Sequence, residues 1–328
     1  MRAAVITGPG GPDVLALREL PDPVPGAEQV LVRVRTSALN RADLLQRRGG
    51  YAAPLGWPSD IPGIEIAGEV AALGPGATRW QRGDRVFGLV GGGAHAEYCV
   101  VHERTLARLP DGLSWREAGA IPEAFITAHD ALVTQTNLRP GEHVLIHAVG
   151  SGVGLAAVQL CRALGAIPYG TARTADKIER ARELGLEDGV VVAGDPSAIA
   201  APVARWTNGR GVDVVLELVG GAYVPASIAA LANTGRLMLV GLVGGTSAPI
   251  DLGRVLRQRL TIRGTVLRSR PLEERIQVTR AFAAEVVPFL ERGIVAPVID
   301  STFPLTEIRA AHERLESNAT FGKVVLDV

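Results

Sequence analysis

The chain has 328 residues, a length suited to two domains, and 47% are hydrophobic against 21% charged, which excludes a disordered protein. Thirty-four basic residues balance thirty-four acidic ones, so no chain-wide attraction to nucleic acid or to an anionic membrane is expected. Cys99 and Cys161 are the only cysteines, which excludes a disulfide framework and a four-cysteine zinc site.

The amino terminus, MRAAVITGPGGP, has no apolar segment of signal-peptide length. The longest apolar run, residues 144–160, contains His147, Ser151, Gln159 and several glycines, and makes a poor membrane span. The expected location is the cytoplasm. Lys177 and Lys323 are the only lysines among the basic residues, a bias whose plain reading is genomic or thermal rather than functional.

Short strands fill the first 110 residues. In QVLVRVRT (29–36) Val30, Val32 and Val34 alternate with Leu31, Arg33 and Arg35, the period of a half-buried strand. Similar runs at 64–73, 84–90 and 95–101 are separated by Gly, Pro and Asp, which predicts a compact antiparallel domain. Ser114, followed three residues later by Glu117, predicts a capping box and a helix start. Pro122 should interrupt that helix, with a second helical run from Phe125 to about Val133.

From 141 onward strands and helices alternate. Strands are predicted at 144–148, 167–172, 189–192, 212–219, 236–241 and 261–266, with helices between them. That order predicts an α/β doubly wound parallel sheet of Rossmann type. The tail should hold a helix over 272–292, a strand, a helix from Thr306 and a last strand, GKVVLDV, able to return to the first domain.

The first strand of this sheet runs into VGSGVG (149–154). Laid over G-x-G-x-x-G, it has Val149, Ser151 and Gly154 at the three glycine positions. The middle residue must let a pyrophosphate reach backbone N–H groups, and Ser151 is small enough. The last must let helix and strand pack closely, and Gly154 is in place. Gly150, Gly152 and Val153 complete the turn as a working dinucleotide site. An NAD site carries an acidic residue about twenty residues on. Here Thr171, Ala172 and Arg173 stand there, while Asp176 comes later and looks like a helix cap. Arg173 and Lys177 supply charge for a 2′-phosphate, which favours NADPH, with NADH as the alternative.

Taken together, SALNRADLLQRRGGY (37–51), GIEIAGEV (63–70), GGGAHAEY (91–98), AIPEAFITA (120–128), HAVGSGVG (147–154) and FGKVVL (321–326) resemble the zinc-free quinone oxidoreductases of the medium-chain dehydrogenase/reductase superfamily. Within them the resemblance is strongest to the NADPH-dependent branch inducible by a tumour suppressor. It implies a chaperonin-10-like, β-rich catalytic domain (1–125, completed by 269–328) around a Rossmann domain (126–268), with the cofactor in the cleft between them. It also implies a homodimer joined through the Rossmann edge strand near 261–266.

By the same resemblance, Asn40, Asp43 and Tyr51 line the active site. Tyr51 matches the proton donor of the related 2-enoyl thioester reductases, and Asn40 and Tyr51 are the candidate donors to a developing oxyanion. Thr127 would meet the nicotinamide end. Val219, Gly220, Gly241 and Leu242 would meet the ribose, Leu267, Arg268 and Ser269 the carboxamide, and Lys323 would point toward the cofactor. Thr171 belongs to the same cofactor set. The relatives hold the 2′-phosphate partly with a tyrosine where this chain has Val192, so NADPH preference rests on Arg173 and Lys177.

The zinc-dependent relatives carry cysteine at the position of Asn40 and histidine at that of Ile64. The six histidines here are scattered without thiolate partners, so no metal is expected. Without a Lewis acid the acceptor must take a hydride with hydrogen-bond assistance alone. A quinone satisfies this, and an enone or 2-enoyl compound is the alternative. A non-catalytic NADPH-binding or RNA-binding protein is a third reading, against which the neutral charge weighs. The loop 46–60, with Gly49, Gly50, Pro54 and Pro58, should set substrate size.

Overall fold

The computed structural model describes all 328 residues and divides into two units, Met1–Ile126 with Leu267–Val328, and Thr127–Val266. In the first, β1 (Arg2–Ile6) and β2 (Leu15–Glu19) form an antiparallel pair. β3 (Gln29–Ala38) realises the alternation of its sequence, with Val30, Val32 and Val34 buried. α1 (Arg41–Arg47) follows, then β4 (Glu65–Leu73), β5 (Arg85–Leu89), β6 (Tyr98–His102) and β7 (Ala107–Arg108). β4 and β6 both pair antiparallel with β3, and β5 with β4. Val30, Val32, Ile66, Val86 and Val101 make the core of this sheet.

Ser114 caps α2 (Trp115–Gly119), with the reciprocal bond from its own N–H to Glu117 Oε2 at 2.8 Å. The helix that starts after Ser114 does end ahead of Pro122, at Gly119, and the second run opens at Pro122 itself rather than at Phe125: α3 (Pro122–His129). At a first helical position the missing proline N–H has no bond to lose. The run continues as a π-helical turn, Asp130–Gln135.

The second unit follows the predicted alternation: β8 (His143–Ile146), α4 (Gly152–Ala163), β9 (Ile167–Ala172), α5 (Ala175–Glu183), β10 (Asp188–Val191), α6 (Ala200–Trp206), β11 (Val212–Glu217), α7 (Tyr223–Ala230), β12 (Leu231–Leu239), α8 (Leu252–Gln258) and β13 (Thr261–Gly264). The six strands are parallel in the order β10-β9-β8-β11-β12-β13. This is the doubly wound order of a Rossmann sheet, which reverses direction beside β8 and gathers the strand ends that bind ligands. Leu145, Val212, Val215, Ile228 and Leu237 fill its core.

The chain then returns to the first unit. The long tail helix expected over 272–292 is two helices, α9 (Leu272–Glu285) and α10 (Val287–Glu291), broken beside Pro288. Proline offers no N–H to the preceding turn. β14 (Ile299–Pro304), α11 (Ile308–Glu316) and β15 (Lys323–Asp327) complete the unit. β15 pairs antiparallel with β3, Val325 opposite Ala38, and parallel with β14, so the last strand is part of the first sheet. No helix is long and apolar enough to cross a membrane.

Candidate functional site

In the second unit the turn after β8 behaves as its residues require. Ser151 is the N-cap of α4, its Oγ accepting from the Gly154 N–H at 3.1 Å. A Cβ on Gly154 would lie 2.7 Å from the carbonyl oxygens of both Ala148 and Val149, so only glycine lets this helix sit against its strand. The left-handed residue of the turn is Ala148 (φ 47°). Gly152 and Val153 lie in the first turn of α4, where free N–H groups and the helix dipole favour an anion. A dinucleotide pyrophosphate fits this donor set.

Four buried polar side chains lie beneath that turn. His147 Nδ1 is 2.9 Å from Thr171 Oγ1 and its Nε2 is 2.8 Å from Ser227 Oγ. Ser227 donates to Glu217 Oε2 at 2.6 Å, while Glu217 Oε1 accepts the N–H groups of Val219 and Gly220, both at 2.9 Å. Since Ser227 donates to the carboxylate, it accepts from His147 Nε2–H, and Thr171 donates to Nδ1. Burial pulls the His147 pKa below its usual value against the opposing pull of Glu217, so the ring is neutral. The chain of bonds ties together the ends of β8, β9 and β11.

The Thr171 side chain, expected to touch cofactor, is buried against His147. Arg173 is exposed beyond β9, and Lys177 is on α5. Asp176 is not the cap it resembles: Thr174 is the N-cap and Asp176 lies in the first turn. Val219 and Gly220 follow β11, where Gly220 has φ 76°. Gly241 and Leu242 follow β12, and Leu242 is exposed. Thr127 is buried in α3.

In the first unit the three catalytic candidates separate sharply. Asn40 is the N-cap of α1, and its backbone N–H donates to Asp43 Oδ2 at 2.7 Å. Asp43 Oδ1 accepts the Gly63 N–H at 2.9 Å, and the residue is fully buried. Its carboxylate therefore holds two backbone segments together and has no access to a substrate. The Asn40 amide donates to Glu65 Oε1 at 2.7 Å and Ala38 O at 3.3 Å, while its Oδ1 accepts from Lys323 Nζ at 2.6 Å. Both amide N–H groups are engaged within this unit.

Lys323, expected to point toward the cofactor, closes the same group. Its Nζ donates to Leu39 O at 3.0 Å, Asn40 Oδ1 at 2.6 Å and Glu65 Oε1 at 2.7 Å, so all three ammonium hydrogens are used within this unit. Glu65 is fully buried, and its second oxygen accepts the Glu123 N–H at 2.8 Å. Ile64 stands beside it. No group of three or more His, Cys, Asp or Glu side chains is placed to hold a metal ion.

Tyr51 remains. It is half-buried, and its hydroxyl makes no hydrogen bond within the protein. Burial pushes its phenol up, the Arg268 charge pulls it down and Glu123 pushes it up, with a net rise, so the Tyr51 phenol keeps its proton at neutral pH. Arg268, expected at the cofactor, is buried in this unit. Its Nε donates to Gly91 O at 2.7 Å, Nη2 to Gln46 Oε1 at 2.6 Å and Nη1 to Tyr51 O at 3.5 Å, and its Cζ stands 5.0 Å from the Tyr51 ring centroid. Leu267 is buried beside it and Ser269 is exposed.

No sequence pattern singles out Glu65, Glu217, Ser227 and Gln46, and His147 stands there only as one of six scattered histidines. Two signals were available. Glu65 and Glu217 are acids inside apolar strand runs, and a buried carboxylate needs partners. Lys323 is one of two lysines in a chain that otherwise uses arginine.

Comparison with known proteins accords with this geometry. Residues 26–111 match the alcohol dehydrogenase GroES-like domain, and residues 152–285 match the zinc-binding dehydrogenase family. The chain is 31% identical over 332 residues to the human quinone oxidoreductase, covering 99% of this chain and 97% of the relative. It is 35% identical to the Pseudomonas aeruginosa quinone oxidoreductase, covering 97% and 96%. A mycobacterial protein solved in complex with NADPH superposes with a TM-score of 0.90 at 29% identity, covering 100% of both chains. The enoyl reductase CurK gives 0.86 at 28%, covering 99% and 98%. With both unit folds, the turn after β8 and full-length relatives in agreement, the chain belongs to the quinone oxidoreductases of the medium-chain dehydrogenase/reductase superfamily.

Proposed function

We propose that this oxidoreductase is a metal-independent, NADPH-dependent quinone reductase. The observation that carries the reading is the closure of Lys323, Glu65 and Asn40 on one another, which leaves the Tyr51 phenol as the uncommitted donor among the catalytic candidates. With no ligand set for a Lewis acid, the chemistry suits an acceptor that is reactive unaided. A quinone is one, because its reduction yields an aromatic hydroquinone.

When bound, NADPH supplies a hydride. The residues of this chain do the rest. The first-turn N–H groups of α4, at Gly152 and Val153, receive the pyrophosphate, and Gly150, Ser151 and Gly154 shape the turn. Arg173 and Lys177 read the 2′-phosphate, while Val219, Gly220, Gly241 and Leu242 present backbone at the strand ends. Tyr51 donates a proton to the oxygen of the reduced acceptor. Thr127 and Ser269 stay in the cofactor set by family position. The exposed edge strand β13, with Leu252, Leu256 and Val266 exposed nearby in sequence, supports a homodimer through this edge.

The second reading, reduction of a carbon–carbon double bond conjugated to a carbonyl, is favoured by the phenol donor and by the likeness to an enoyl reductase. The purified protein with NADPH is assayed against an ortho-quinone and a 2-alkenal. Quinone turnover is expected, and alkenal reduction without it would reverse the order of the two readings. Arg173→Ala should weaken NADPH binding about ten-fold and leave NADH unchanged, roughly the 1.4 kcal/mol that one charge-assisted phosphate contact contributes. Equal weakening of both would remove Arg173 from the 2′-phosphate.

A further inference from the structure

Arg268 is a buried cation without an anion. Its three hydrogen bonds all go to uncharged oxygens, those of Gly91, Gln46 and Tyr51, and the face of the Tyr51 ring is its fourth neighbour. Most buried guanidinium groups are compensated by a carboxylate, because desolvating a lone charge is costly. In this unit Arg47 shows that arrangement, paired with Glu316. Around Arg268 the anionic groups act only at longer range. Asp43 is held by the amides of Asn40 and Gly63, and Glu123 is on α3. Burial pulls the guanidinium pKa down, with Asp43, Tyr51 and Glu123 opposing, yet arginine remains charged throughout the working range.

The same side chain is also a clamp. Gln46 receives its Nη2 and donates its own amide to Ser59 O at 3.0 Å, so α1 and the loop bearing Tyr51 are joined through one guanidinium. Trp57 packs on Gly91, where an added Cβ would come within 2.5 Å of the indole, and Gly91 O accepts from Arg268 Nε. The loop is thus fastened on both sides of Tyr51.

We propose that Arg268 is a positioning residue for proton delivery: its uncompensated charge beneath the Tyr51 ring stabilises the phenolate left when Tyr51 protonates the reduced acceptor. This rests on the reading of Tyr51 as the acid. In the step, the Tyr51 Oη–H bond breaks and an O–H bond forms on the acceptor oxyanion. The phenolate regains its proton from water, and no electrons move. The acceptor class that gains from this is one reduced to an oxyanion, a quinone giving a hydroquinone anion or an enone giving an enolate. Tyr51 faces Arg268 as its nearby cation and Glu123 as its nearby anion.

The test follows the Tyr51 phenol directly, by ultraviolet titration of the protein with the Tyr51→Phe spectrum subtracted; the chain has only four tyrosines. In Arg268→Gln and Arg268→Met the phenol is expected to titrate at higher pH than in the wild type, and in Arg268→Lys close to the wild-type position. Turnover with NADPH and a quinone should fall about ten-fold in the two neutral variants, largely in kcat, with the alkaline limb of the rate profile moved to higher pH. Arg268→Gln retains hydrogen-bonding groups and serves if Arg268→Met does not fold. An unmoved phenol titration in a folded neutral variant, while Tyr51→Phe is inactive, overturns this proposal alone. So does equal impairment of the lysine and neutral variants. Full turnover by Tyr51→Phe overturns the assignment of the acid and this proposal together.

Discussion

The two units each bury a polar network near their functional residues, and they solve the cost of doing so differently. In the first, the Glu65 carboxylate meets a cation, Lys323, at 2.7 Å, and Asn40 closes the group. In the second, the Glu217 carboxylate meets only neutral donors: two backbone amides and the Ser227 hydroxyl, with neutral His147 behind it. A buried ion pair depends on both charges being present, whereas an anion held by backbone amides places the loop that supplies them. The first network fastens the last strand to the start of α1 and to β4. The second sets the position of the Val219–Gly220 segment.

The largest effect should come from unbalancing the first. Lys323→Met leaves a carboxylate with no exposure and no counter-charge, and should cost about 3–5 kcal/mol in chemical denaturation. Lys323→Met combined with Glu65→Gln should recover most of that. A single variant costing under about 1 kcal/mol would show that the pair contributes little.

Breaking the second should be milder and more local. Ser227→Ala removes one of three donors to Glu217 and the acceptor of His147 Nε2–H, a loss of about 1–3 kcal/mol. The Val219 and Gly220 amides should then exchange hydrogen faster, and NADPH binding should weaken. Unchanged exchange at these two amides would mean that the relay does not hold the loop.

Acid offers the smallest and most graded comparison. Burial depresses His95 and His312 in the first unit, His312 to about 2, and His143 and His147 in the second, His143 with help from the Arg210 charge. Each is neutral when folded, but takes a proton in the unfolded chain below a pKa of about 6.5. Their contribution is complete above that pH and is lost as pH falls, at about 1.4 kcal/mol per unit for each buried group and less for the partly exposed His143. With two such groups in each unit, both should weaken between pH 6.5 and 5. Trp57, Trp80 and Trp115 report on the first and Trp206 on the second. His312→Gln should flatten the first unit's slope and leave the second unit's unchanged, and an unmoved first-unit slope in that variant would contradict the assignment.

The local signals along the chain were largely readable. Period-two alternation placed β3, and the six strands of the second unit follow from the alternation of apolar runs with helical ones. Ser114 with Glu117 marked a helix start, and Gly154 marked the tight helix–strand contact, because each acts through neighbours a few residues away. Pro122 and Pro288 show where such reading stops: the same residue opens one helix and divides another, depending on whether an N–H was needed there.

What only the tertiary structure decided is which polar side chains remain available. Asn40 and Asp43 have the right chemistry for catalysis but find their partners at Glu65, Lys323 and Gly63, and Arg268 joins Gln46 and Gly91 far away in sequence. A hydrogen bond or ion pair between residues hundreds of positions apart leaves no periodic trace, so sequence alone determined the fold and the dinucleotide turn. The isolation of the Tyr51 phenol emerged only when the folded chain had satisfied its neighbours.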